Sequence, residues 1–198
     1  MKKSIFVLIG VAIIALIAYS FFKNSYNTLV SKDENVKSAW SQVKNVYQRR
    51  ADLIPNLVNT VKGAANFEQT TLTQVIEARA KATQVTVSAD DLTPEKTQQI
   101  QAAQGQLSAA LGRLMMVSEQ YPQLKANQNF LDLQAQLEGT ENRITVERQK
   151  FNTVTQDYNT YLRQFPRNMI AGMFGFQQKA YFESDPGAEK APKVDFGK

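Results

Sequence analysis

The sequence predicts an all-α protein: an N-terminal transmembrane helix followed by an antiparallel four-helix bundle with long first and fourth helices. Three observations carry this. An uncharged apolar stretch, Ser4 to Phe22, stands near the N-terminus. Behind it, apolar residues recur at alternating steps of three and four through most of the chain. Glycine and proline are scarce, nine and six in 198 residues, while Ala, Gln, Leu, Val and Glu are plentiful, a balance that favours helix.

The apolar stretch is about 19 residues long and would span roughly 28 Å as a helix, close to the hydrocarbon thickness of a bilayer. Lys2 and Lys3 flank one end and Lys23 the other, and Tyr19, Phe21 and Phe22 suit the interface. The competing reading is a cleaved signal peptide, with Ala18-Tyr19-Ser20 as a small-x-small site. The apolar run is longer than a usual signal core, so residues 1–23 are read as an anchor. Gly10 has no small residue at the spacing of a GxxxG pair, so the span carries no dimerisation signal of that kind. Lysine counts on the two sides nearly balance. The short N-terminal tail favours an N-inside orientation, with the bulk domain outside the cytoplasm.

Each helix of the domain, residues 24–165, has its own signal. The first carries a heptad seam at Tyr26, Leu29, Asp33, Val36, Trp40, Val43, Tyr47, Arg50, Ile54, Leu57 and Val61. Lys62-Gly63 supplies a basic last turn and a left-handed stop. Pro55 lies inside this run, but the seam resumes in register at Leu57. That reads as a kink within a continuing helix, the alternative being a corner capped by Asp52. Asn66 and Gln69 form a capping-box pattern, with Glu68 in the first turn, so a second helix is expected from Phe67 to about Gln84. Thr93-Pro94-Glu95 opens a third, carrying Ile100, Ala103, Leu107, Ala110, Leu114, Val117 and Tyr121, which Pro122 ends. The fourth has the longest seam: Phe130, Leu133, Leu137, Thr140, Ile144, Glu147, Phe151, Val154, Tyr158, Tyr161 and Phe165. It stops at Pro166.

Composition removes whole classes of chemistry. There is no cysteine and no histidine, so thiol nucleophiles, disulfides, zinc-thiolate sites and histidine-dependent triads are excluded. The formal charge is +5. With Lys2 and Lys3 set aside, 21 basic residues face 18 acidic ones. That surplus permits attraction to anionic lipid, and no basic run with interleaved aromatics points to nucleic acid.

The candidate interaction residues fall in two places. Arg50 sits on the first seam and Glu147 on the fourth, where a charge is costly unless paired. Arg50 or Arg49 is expected to pair with Glu147 or Glu141 and fix the register of the two long helices. The alternative is that these side chains snorkel to water. One acid beside two guanidiniums provides no general base near neutrality, so "RRAD" is not read as catalytic. The second place is the Met/Phe-rich segment 166–183, where Met169, Ile170, Met173, Phe174 and Phe176 cluster around Gly172 and Gly175. It is either a cap folded over the bundle or a surface for a partner or a second membrane contact. The tail, 184–198, is polar with spaced prolines and is expected to be extended or disordered, with Val194 and Phe196 as docking points.

These residues resemble the LemA family of bacterial membrane proteins. The resemblance rests on "YNTLVSKDENVKSAWSQVKNVYQRRADLIPNLVNTVKG", "TLTQVIEARAKA", "ENRITVERQKFN" and "YNTYLRQFPRNMIAGMFGFQQKAYFE", and on the terminal pattern of Ala188, Pro192, Val194 and Phe196. It implies a single-pass N-terminal anchor, an antiparallel four-helix bundle and no known enzyme activity or cofactor. Family members are often encoded near membrane proteases or envelope-stress proteins, and related proteins occur among magnetosome membrane-organising factors. The chain departs from the family where "GYA" becomes Gly63-Ala64-Ala65 and where a frequent histidine is Phe67, which weakens any site at that loop.

The functional expectation is a membrane-anchored helical scaffold or adaptor at the bacterial inner membrane, without catalysis. Its expected partners are the lipid bilayer, other proteins, and further copies of itself through a seam shared at Trp40 and Tyr47. The alternatives are a membrane-remodelling or lipid-binding protein and a carboxylate–metal enzyme. The last would need Glu138, Glu141 and Glu147, of which the first two flank the seam, and the Glu-x-x-His pattern of di-iron bundles cannot occur.

Overall fold

The computed structural model describes residues 2–63 and 67–183, and every regular element among them is helical. Helix α1 runs over Lys2–Lys62, α2 over Gln69–Gln84, α3 over Pro94–Ser118, α4 over Pro122–Lys125, α5 over Gln128–Arg163 and α6 over Arg167–Met173, with a 3-10 turn at Ala89–Asp91 before α3. A turn at 174–175 follows, and residues 176–183 then run as a strap without regular secondary structure. The expected tail and the proposed Asn66 cap lie outside the described residues.

Helix α1 serves two environments. Side chains from Ile5 to Phe22 are exposed with nothing of the chain against them, and this is the one helix among the described residues long and apolar enough to cross a membrane. From Leu29 onward the seam is covered: Leu29, Val36, Trp40, Val43, Tyr47, Arg50, Ile54, Leu57 and Val61 are all buried. The cover is chiefly α5, which runs antiparallel. Lys32 pairs with Asp157, Trp40 meets Phe151 with ring centroids 5.8 Å apart, and Arg50 reaches Glu141. Trp40 and Tyr47 are therefore taken up inside the chain, and the expected sharing of that seam between copies is not available to them.

The core has two parts. Away from the span, Ile54 and Leu57 of α1 meet Leu72 and Val75 of α2, Leu107 and Leu114 of α3, and Phe130 and Leu137 of α5. Nearer the span, where α2 is absent, Leu29 and Trp40 pack with Phe151 and Tyr158 of α5, Ile170 of α6 and Phe182 of the strap. Each such side chain taken fully out of water contributes about 1.5–3 kcal/mol. There the α2–α3 connection, through Val87 and Leu92, and the C-terminal segment together close the face that α2 leaves open.

The helix continues through Pro55, as the unbroken seam predicts, and no corner forms at Asp52. Proline has no amide to offer the carbonyl four residues back, which is that of Ala51. Arg79 of α2 takes its place, donating from Nε to the Ala51 oxygen at 2.8 Å. One helix thus repairs the defect in another. Replacing Arg79 by Met will cost about 1–3 kcal/mol, the penalty for stranding a buried carbonyl. In a Pro55→Ala background the native amide returns, and the same replacement will cost less. Chemical denaturation of the four proteins in this cycle measures the difference.

Three boundaries differ from expectation. Helix α2 starts at Gln69, two residues later than Phe67; Glu68 is its N-cap, and Glu68 accepts from the Thr71 hydroxyl at 3.1 Å. Helix α3 stops at Ser118, and Pro122 begins the one-turn helix α4 rather than simply ending α3. The reason is Leu124, which α4 buries. Helix α5 ends at Arg163, leaving Phe165 outside it and exposed.

Candidate functional site

Arg50 projects from α1 between α3 and α5, with 1% of its side chain exposed. Its Nη1 donates to Glu141 at 2.5 Å and to the Ser108 hydroxyl at 3.0 Å, and its Nη2 donates to the Gln104 side-chain oxygen. Its Nε is buried without an acceptor. Of the two expected partners, the structure selects Glu141. Glu147 pairs instead with Lys150 on its own helix at 2.8 Å, and Arg49 points to solvent. Glu141 stays half-exposed, so the carboxylate keeps its hydration while the guanidinium is enclosed.

The second constellation holds the strap. Asn159 of α5 donates to the Lys179 carbonyl at 2.9 Å and accepts from the Lys179 amide at 3.0 Å. Asn152 does the same with Phe182, at 2.8 and 2.9 Å. Gln101 of α3 repeats the pattern with Glu183, at 2.8 and 3.4 Å. Each carboxamide substitutes for a neighbouring strand. The spacing explains the match: seven helical residues rise about 10 Å, and three extended residues also advance about 10 Å. Phe182 then drops between Trp40 and Phe151, with centroids 6.0 and 5.4 Å away, and the Arg148 guanidinium lies over its ring at 5.2 Å.

Charge closes the strap onto α1. Lys179, nearly buried, reaches Asp33 at 3.2 Å and the Ala89 carbonyl at 3.0 Å. Lys37 bridges Asp33 and Asp90, each at 3.0 Å. Hydrogen bonds to Asp33, then to Asp90 and Glu34, hold the Lys37 ammonium well above its ordinary range. The bond from Lys37 pulls the Asp90 carboxyl below its own. Asp33, a polar seam position, is thus satisfied from its own helix by Lys37 and from the C-terminal segment by Lys179. Tyr158, whose hydroxyl donates to the Gln177 carbonyl at 2.9 Å, is pushed up to about 12 by burial first and by Asp33 second.

A raised folded-state value means that the contribution is whole below the unfolded value and lost as pH climbs through the folded one. For Tyr158 that window runs from about 10 to about 12, and Lys37 loses its share above 10.5. The protein will therefore lose stability in alkali over this range. Tyr158→Phe will cost about 1 kcal/mol near neutrality through the lost hydrogen bond, but will shed part of the alkaline decline. Thermal melts from pH 8 to 12 read both effects.

The apolar segment divides. Ile170 is buried, and Phe176 packs against Tyr26 at 5.9 Å. Met169, Met173 and Phe174 remain on the outside. The turn between α6 and the strap needs Gly175, whose φ is +75°; the Phe176 amide bonds back to Ala171 at 3.0 Å and the Gly175 amide to Gly172. Sequence reasoning missed Asn152, Asn159, Gln101, Lys179 and Arg148. A usable signal was present: asparagine is a poor helix-interior residue, and two stand seven apart in α5. The acids of α5 do not converge. Glu138 accepts from Gln134, while Glu141 and Glu147 hold the pairs given above, and among the described residues no group of three carboxylates is placed to hold a metal ion.

A bare apolar helix that runs unbroken into a domain tied shut by its own C-terminal strap defines a class, the membrane-associated all-helical proteins with an N-terminal helix long and apolar enough to cross a membrane. Within that class the chain belongs to the LemA family, whose family model matches residues 39–196. Among its relatives is the magnetosome protein MamQ 2 of Paramagnetospirillum magneticum, 25% identical over 195 residues, covering 90% of this chain and 71% of that protein. The magnetosome protein MamQ of Magnetospirillum gryphiswaldense is 23% identical, with 92% and 74% covered. Protein LemA of Metamycoplasma hominis is 23% identical, with 92% and 80% covered.

Proposed function

We propose that the chain is a membrane-anchored helical scaffold or adaptor of the bacterial inner membrane, without catalytic activity. A single span would hold a four-helix bundle against the bilayer, on the side away from the cytoplasm. The observation that carries this reading is the use made of the buried and half-buried polar groups. Arg50, Asp33, Lys179, Asn152 and Asn159 all bond to other parts of the chain and hold helices or strap in place. Residues engaged this way maintain a shape, and a shape fixed to a membrane is a platform for other proteins. Because Trp40 and Tyr47 are enclosed, contacts with partners or with further copies would use the exposed faces of α2, α3 and α5.

In-cell cross-linking followed by purification in mild detergent tests the reading. The expected result is a defined set of cross-linked proteins or a discrete oligomer that persists at low protein concentration. Monomers alone, with no co-purifying protein from cells expressing the chain at native level, would overturn it. A reporter fused to the C-terminus reads the side of the membrane.

A further inference from the structure

We infer that α6 and the turn before it form a second membrane contact, an apolar plate set in the headgroup layer beside the span. The inference rests on the anchor in the reading above and adds to it a lipid-binding surface in the folded domain.

Depth supports it first. Phe174 packs on Tyr26 with ring centroids 4.7 Å apart, and Ile170 is buried in the cluster that holds Leu29. Helix α6 therefore sits at the level of residues 26–29 of α1. Tyr26 lies four residues beyond Phe22, a rise of about 6 Å. The polar layer outside the hydrocarbon is about 5–7 Å thick on each side. An element at that level lies among headgroups, not in open water.

Shape and polarity agree. Met169 and Met173 are one turn apart on α6 and both stay exposed, while Ile170 and Ala171 are buried. Phe165 stands just ahead of the helix, before its Pro166 N-cap. Phe165 is 81% exposed, Met169 62%, Met173 72% and Phe174 54%, an apolar grouping that would be costly in water. Long flexible thioethers and aromatic rings are the side chains that interfacial helices lay into the boundary between headgroups and acyl chains.

Charge selects the occupant. The first acidic residue of the chain is Asp33, and none occurs from Tyr158 to Phe182. Lys23 precedes Tyr26 by three residues, Arg163 ends α5 and Arg167 opens α6, where it lies over the Tyr161 ring at 4.2 Å. Such a rim attracts anionic lipid headgroups. It disfavours a second copy, which would bring the same cations to the same place.

The absence of cysteine makes the test direct, since one introduced thiol is labelled uniquely. The full chain carrying Met169→Cys, Met173→Cys, Ile13→Cys or Gln136→Cys is labelled with bimane. Each protein is reconstituted into vesicles of phosphatidylcholine alone or of an equal mixture with phosphatidylglycerol. We expect labels at 169 and 173 to be quenched by doxyl-labelled lipid and shielded from iodide, with emission shifted to the blue, and the label at 136 to behave oppositely. Arg163→Gln with Arg167→Gln should reduce the lipid quenching in the mixed vesicles towards its value in phosphatidylcholine. If 169 and 173 are open to iodide like 136 while 13 is quenched by lipid, the plate is refuted and the anchor stands. Shielding of 169 and 173 from both quenchers means protein covers the plate, and also refutes the inference. A label at 13 that lipid does not quench refutes the anchor itself.

Discussion

Phe182→Ala will destabilise the domain by about 3–5 kcal/mol, the range for emptying a buried aromatic site. The ring fills the face that α2 leaves uncovered, between Trp40 and Phe151 and beneath Arg148. Nothing else in the proximal core can collapse into that space, because Asn152 and Asn159 hold the strap at a fixed height above α5. The chain supplies its own reporter, since Trp40 is the sole tryptophan and donates its indole N–H to the Val87 carbonyl at 3.1 Å. Its emission will move to the red as the strap leaves. Far-UV circular dichroism will hold until the helices themselves melt. Phe182→Leu will lose less than half as much. An unshifted emission with unchanged stability in Phe182→Ala would show that the strap contributes little to closing the core.

Arg50→Ala is the second large effect, about 3–5 kcal/mol. The loss has two sources: the volume of a large enclosed side chain, and the bonds to Gln104, Ser108 and Glu141 that join α1 to α3 and α5. Arg50→Met separates them. It restores much of the volume without the charge, and the unpartnered Nε shows that the native site is already imperfectly satisfied. Arg50→Met will therefore cost less than half of the alanine loss. Glu141→Gln will be costly for an exposed position, about 1–3 kcal/mol, because it leaves the enclosed cation without its counter-ion. Urea titrations of these variants and of the Arg50/Glu141 double mutant give the coupling, which should be well above the near-zero value of an ordinary surface pair.

The long helices were legible because their seams obey one period for many turns. Every seam position of α1 from Leu29 to Val61 apart from Asp33 is buried, and the seam also identified Arg50 as an enclosed charge needing a partner. The choice between Glu141 and Glu147 was not legible. They lie less than two turns apart, and the stagger of α5 against α1 decides between them. The strap was illegible for a different reason. Its backbone bonds go mostly to side chains on α3 and α5, with the Ala180 amide donating to the Leu92 carbonyl, so it has no repeating pattern of its own, and only the asparagine pair Asn152 and Asn159 hinted at it. Helix α4 was missed because a proline that ends one helix can also begin the next.

Between Val11 and Lys62 the first helix contains no glycine, and its single proline is braced from α2. With the apolar end set in a bilayer as proposed, there is no joint where hydrocarbon would give way to water. From Phe22 to Lys62 this rod measures about 60 Å. Leaning the buried end by roughly 10° swings the remote tip sideways by about 10 Å, two helical turns' worth of travel. On the proposed anchoring, bilayer thickness, which governs how steeply a span leans, would be converted into the position of a surface far from any lipid.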